Sequence, residues 1–135
     1  PEHAEDNHWR HRPQMPWDLA HARHDETTVH GRMFKTVRHL GRTRRELPQL
    51  HAATQTQVLV PHDPGIVLFV RRHAAGIYVG LFNISDSWKH FPGGTLRDLG
   101  LGNGTAKAFE HLAGQHVSLL DELHIPPYAA WWLTS

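Results

Sequence analysis

The 135-residue chain contains no cysteine. That excludes disulfides, thiolate metal centres and cysteine nucleophiles, and it suits a reducing, cytoplasmic compartment without requiring one. Long apolar runs are missing too: no stretch approaches the roughly 20 residues of a bilayer span, so no membrane partner is expected. The opening Pro1-Glu2-His3-Ala4-Glu5-Asp6 does not have the form of a secretory signal. Charge of one sign is not in excess, because 14 Lys and Arg stand interspersed with 13 Asp and Glu. No footprint for nucleic acid results. The length suits one core and falls short of the roughly 250 residues of a (β/α)₈ barrel. The abrupt start without Met suggests a piece of a longer chain.

What is present divides near residue 50. From Pro1 to Pro16 the sequence is polar, aromatic in places and without a sustained period, which predicts an irregular arm. Residues 17–23 form a short helix at most. Beyond them, Thr27 and Thr28 offer caps for a long helix whose apolar residues Val29, Met33, Val37 and Leu40 recur at steps of four, four and three until Pro48 ends it. That spacing predicts one buried stripe. The same helix carries Arg32, Lys35, Arg38, Arg42, Arg44 and Arg45, read as a solvated face or as partners for a neighbouring domain.

After Pro48 the pattern becomes short β-rich runs punctuated by Pro, Gly, Asn and Asp. Strands are predicted over 55–60, 66–72, 77–84, 88–91, 107–111, 117–119, 124–125 and 129–133. His62-Asp63-Pro64-Gly65 and His73-Ala74-Ala75-Gly76 supply tight links that make the first three a meander. Gly93-Gly94 and the stretch Leu99-Gly100-Leu101-Gly102-Asn103-Gly104 read as longer loops. The fold expected is mainly β: an antiparallel Greek-key β-sandwich of about eight strands, preceded by the arm and one long α-helix.

Residue types that carry chemistry are present but not assembled. His8-x-x-His11 and His21-x-x-His24 each bring two imidazoles near one another, yet local spacing supplies no third ligand, so no metal site and no cofactor are expected. Ser85, Ser87 and Ser118 sit in no nucleophile elbow. Asp6, Asp18, Asp63, Asp86, Asp98 and Asp121 lack an apolar setting that would raise a pKa, so no glycosidase-type carboxylate pair and no catalytic residue is assigned. The glycine-rich stretch lacks the Lys-Ser/Thr ending of a phosphate loop. Among Trp9, Trp17, Trp88, Trp131 and Trp132, the last two must point to opposite faces of a strand, one into the sandwich and one toward solvent or a partner domain. Trp88, in a turn-rich segment, is the candidate platform for a sugar ring.

Two stretches resemble a known family. Asp6-Asn7-His8-Trp9-Arg10-His11-Arg12-Pro13, with Met15 and Trp17, resembles the Asp-Ser-Arg-Trp-x-His-Arg-Pro motif closing the last barrel loop of amylosucrases, members of the α-amylase superfamily (glycoside hydrolase family 13). The capped helix from Thr28, with Gly31-Arg32-Met33-Phe34 and the ending at Arg44 and Pro48, is similar to that family's final barrel helix. Phe82-Asn83-Ile84-Ser85 and Leu123-x-Ile125-x-Pro127-Tyr128-x-x-x-Trp132-Leu133 resemble segments of its C-terminal sandwich.

The resemblance implies a retaining parent enzyme, either a glucosyl transferase or a hydrolase, whose catalytic aspartate and glutamate lie on upstream barrel strands absent here. It implies residues 1–50 as the end of the catalytic barrel and 51–135 as a non-catalytic sandwich that stabilises it. The barrel of the same polypeptide would be the partner, and sucrose or an α-glucan the parent's substrate. His8 stands where the family has an arginine that pairs with an aspartate at the floor of the glucose pocket. An imidazole cannot make that bidentate contact, so His8 marks an altered pocket rim. Two rival readings are a carbohydrate-binding module, which an exposed coplanar aromatic pair would favour, and a protein-interaction sandwich unrelated to enzymes. Separated from its barrel, the chain is expected to expose apolar surface and self-associate.

Overall fold

The computed structural model describes residues 14–135. The Trp-x-His-Arg-Pro motif, with His8, Trp9 and the pair His8-x-x-His11, lies outside the described residues. The described chain falls into two compact units, one ending at His39 and the other running from Leu40 to Ser135.

In the first unit, helix α1 (Trp17–His21) passes into a 3₁₀ turn (Ala22–His24), and α2 (Val29–Glu46) follows. Thr28 is the cap: its Oγ1 accepts the Gly31 N–H at 3.0 Å, satisfying one of the amides a helix start leaves free. Thr27 serves a different bond, since Asp25 Oδ1 accepts both its N–H and its hydroxyl. Those two bonds hold the Asp25 carboxyl below the usual carboxylate range. Gly31 is fixed by close approach, because a Cβ there would collide with the backbone of Asp25 and Glu26.

The helix bounds match the sequence expectation, and the stripe, uncovered among the described residues, is apolar surface of the kind expected of the chain without its barrel. Val29, Met33 and Val37 are 62%, 60% and 60% exposed, and only Leu40 is half-buried. A period of three and four marks which face of a helix is apolar; it does not supply what covers that face. The basic residues of α2 are exposed, and Lys35 meets Glu26 at 2.6 Å with both side chains largely in solvent, a pair worth little to stability.

The second unit holds β1 (Thr56–Leu59), β2 (Ile66–His73), β3 (Gly76–Asn83), β4 (Lys89–Pro92), β5 (Lys107–Glu110), β6 (Gln115–Ser118), β7 (Glu122–Ile125) and β8 (Ala130–Thr134). Each falls where a strand was predicted, within about two residues at either end. All pairings are antiparallel, giving a six-stranded sheet in the order β1-β2-β3-β8-β5-β6 and a two-stranded sheet β4-β7. After β7 has joined the second sheet, β8 returns beside β5, as the fourth strand of a Greek key does. The result is the expected mainly β sandwich.

Alternation along the strands builds two apolar layers. Ile66, Leu68, Val70, Ile77, Val79, Leu81 and Leu133 face Phe91, Leu123 and Ile125 of the smaller sheet in the main core. On the other side of the large sheet, Tyr78, Phe69 and Trp132 pack with Leu47 and Leu50, the latter in a 3₁₀ turn (Pro48–Leu50) that follows α2. Trp131 and Trp132 do point to opposite faces, but the outward one is half-covered by the chain's own Leu47–Leu50 segment. Arg71 secures that segment: its guanidinium donates to Gln49 O at 3.1 Å, Thr54 O at 2.8 Å and Thr56 Oγ1 at 2.9 Å.

Of the two glycine segments read as loops, residues 99–104 form one and Gly93-Gly94 does not. Gly93-Gly94 opens a short helix, α3 (Gly93–Asp98), and the stretch beginning at Gly100 caps it. Gly100, with φ of 102°, donates to Arg97 O at 2.8 Å, and Leu101 donates to Leu96 O at 3.1 Å, the double bond pattern of a Schellman motif. Glycine hid the helix because it is a poor helix former, and six residues are too few to show a period. Gly93 is needed for packing, since a Cβ would lie 2.6 Å from Leu119 O and 2.5 Å from Asp121 O.

Candidate functional site

The resemblance motifs of the sandwich converge on one end, where the chain leaves the large sheet after β3 and returns to it from β7 into β8. Asn83, the last residue of β3, is buried. Its Nδ2 donates to Ser87 O at 2.7 Å, Pro126 O at 2.9 Å and Ile125 O at 3.2 Å, while its Oδ1 accepts from the Ser85 N–H and hydroxyl. One amide thus ties the turn before β4 to the end of β7, and Ser85 serves that tie. Opposite it, Pro127-Tyr128 makes the link to β8: Tyr128 has φ of 55° and donates its N–H to Ser85 O at 3.1 Å, and Ala129 N closes the turn on Pro126 O. A non-glycine residue in the left-handed region costs roughly 1 kcal/mol, held here by the surrounding bonds.

Trp88, the predicted sugar platform, lies on this end and is 61% exposed; Tyr128 is 73% exposed. Among the described residues no aromatic ring pairs with Trp88, so the coplanar couple that would favour a carbohydrate-binding module is not seen among them. The three candidate serines have structural partners: Ser85 with Asn83, Ser87 with Ser85, and Ser118 with the Leu120 N–H.

The closest approach to a nucleophile and base is elsewhere. His111 Nε2 and Thr134 Oγ1 are 2.9 Å apart, and burial lowers the pKa of the His111 imidazole. The adjacent carboxylate, Glu110, is buried, but both its oxygens are committed to backbone amides: Leu112 at 2.9 Å, Ala113 at 2.6 Å and Trp132 at 3.1 Å. It orients no imidazole, so the three residues do not make a triad. Asp63 is equally engaged, accepting the Gly65 N–H at 2.7 Å and pairing with Lys89 Nζ at 3.0 Å, contacts that lower its pKa.

One grouping went unnoticed in the sequence. On the outer face of the β4–β7 pair, His90 stands directly across from His124, and Glu122 lies two residues before His124 on the same face. His90 Nδ1 is 3.2 Å from Glu122 Oε2, and one ligand atom from each of the three lies within 4.8 Å of the others. Glu122-x-His124 at strand spacing was the available signal; its partner on β4 is set by register, which no local pattern gives.

The comparison with protein families accords with this geometry. The family described as "Amylosucrase, C-terminal domain" matches residues 56–134, from the first strand to the last and over more than half of the chain. The match covers the Asn83 junction and the Pro127-Tyr128 turn. With eight antiparallel strands in the expected places and that match over all of them, the chain belongs to the amylosucrase C-terminal domain family.

Proposed function

We propose that this chain is the non-catalytic C-terminal region of an amylosucrase-type enzyme, one that transfers or hydrolyses glucosyl units by a retaining mechanism on a barrel upstream of it. The family match from β1 to β8 carries the reading. Residues 51–135 are the sandwich, and residues 1–50 complete the barrel with the arm and α2. Its role is to hold that barrel: Val29, Met33 and Val37 present an apolar stripe for barrel helices to cover. Leu47 and Leu50 anchor the chain after α2 to Tyr78 and Trp132.

The side chains that could perform chemistry support a structural role. Glu110, Asp63, Asn83 and Thr134 all spend their polar atoms inside the fold. His8, at the place of the family's arginine, would sit at the rim of the glucose pocket and weaken its charge pairing.

The test is sugar release by the longer enzyme from sucrose and from maltooligosaccharides, with this chain alone as control. Fructose release by the longer enzyme and none by the chain is the expected result. Turnover of maltooligosaccharides alone would remove the amylosucrase assignment and implicate His8, whereas turnover by the isolated chain would end the non-catalytic reading.

A further inference from the structure

We propose that His90, Glu122 and His124 form a divalent transition-metal site, of zinc type, on the outer face of the β4–β7 pair. The backbone is placed before any ion arrives. Phe91, Leu123 and Ile125 are buried in the main core, so the intervening residues of both strands must face outward. Lys89 is pinned to Asp63 at 3.0 Å. The register sets His90 against His124 and Pro92 against Glu122. Three side chains therefore converge from two strands on one spot, with their ring or carboxylate atoms within 4.8 Å of one another.

A tetrahedral zinc ion with bonds of about 2.0–2.1 Å places its ligand atoms roughly 3.3 Å apart. His90 Nδ1 and Glu122 Oε2 already stand at 3.2 Å. The two imidazoles meet edge to face with centroids 4.6 Å apart and planes at 77°, and His124 offers a ring nitrogen within 4.8 Å of the ligand atoms of the other two. Two imidazoles and one carboxylate suit zinc, nickel or copper, while calcium and magnesium prefer all-oxygen shells. All three residues are exposed, which leaves the fourth position to water or an external donor. The ion would take the place of the direct His90–Glu122 contact and cross-link a sheet of only two strands.

The test is calorimetric titration of the whole chain with Zn²⁺, alongside His90→Ala, His124→Ala and, as control, His62→Ala, an exposed histidine outside the group. One saturable site is expected, weakened at least about 10-fold in each of the first two variants and unchanged in the control. Zn²⁺ should also raise the thermal midpoint of the native chain but not of His124→Ala. The assignment fails if the native chain shows no saturable binding, if either cluster variant binds as tightly as the native chain, or if His62→Ala loses affinity equally. Each substituted side chain is exposed, so the variants keep the fold.

Discussion

Gly80 shows how a single residue can be dictated by a contact distant in sequence. It lies in the middle of β3, where glycine weakens a strand. The ring of Phe69, its partner across β2, covers it, and an added Cβ would come within 2.6 Å of that ring. Phe69 is itself packed between Phe82 at 5.4 Å and Tyr78 at 5.9 Å, so moving the ring disturbs both contacts. Gly80→Ala is therefore expected to lower stability by about 1–3 kcal/mol through overpacking, measured by denaturant unfolding. A neutral effect would show that the ring can move aside. Asn83 and Gly31 follow the same pattern: each lies in a stretch that resembles the family, and each is set by backbone groups around it.

At the scale of the element, the β5–β6 hairpin illustrates how buried polar groups fix a turn. Glu110 and Gln115 pair at the end of the ladder, and the Glu110 carboxylate receives two loop amides and one from β8. His111, the next residue, is bonded to Thr134 and has its pKa lowered by burial. The folded state then holds fewer protons than the unfolded chain between the lowered value and the ordinary imidazole value. Stability should fall as pH drops through that window and be unaffected by this group above it. His111→Asn should flatten the acid-side loss that sets in below the ordinary imidazole value, seen as a smaller drop in thermal midpoint than in the native chain. Equal slopes would mean that His111 titrates alike in both states. The strands of this region were legible because β-rich runs alternate and end at Gly, Asn or Pro. Helix α3 was not, since two glycines at its start hid it.

For the whole molecule, the decisive feature is apolar surface that the described residues leave open. Met33 and Val37 are each 60% exposed, and they share a stripe with Val29. Alone and at high concentration, the chain should self-associate through it. The double variant Met33→Lys, Val37→Lys should remain monomeric by light scattering and keep the native chain's thermal midpoint. In the longer enzyme proposed above, the same variant should lower the midpoint. A monomeric native chain would count against an open docking face.

The sequence by itself determined the eight strands, the long helix with its Thr28 cap and Pro48 stop, and the kinship carried by short motifs. These depend on local spacing and turn chemistry, which a chain displays residue by residue. Only the tertiary structure decided which faces are covered, which residues lie across from one another, and what each polar side chain is bonded to. Gly93-Gly94 looked like a loop until α3 was visible. His90 met Glu122 and His124 only when β4 and β7 had paired. Burial and register are set by segments far apart in the chain, so no local pattern contains them.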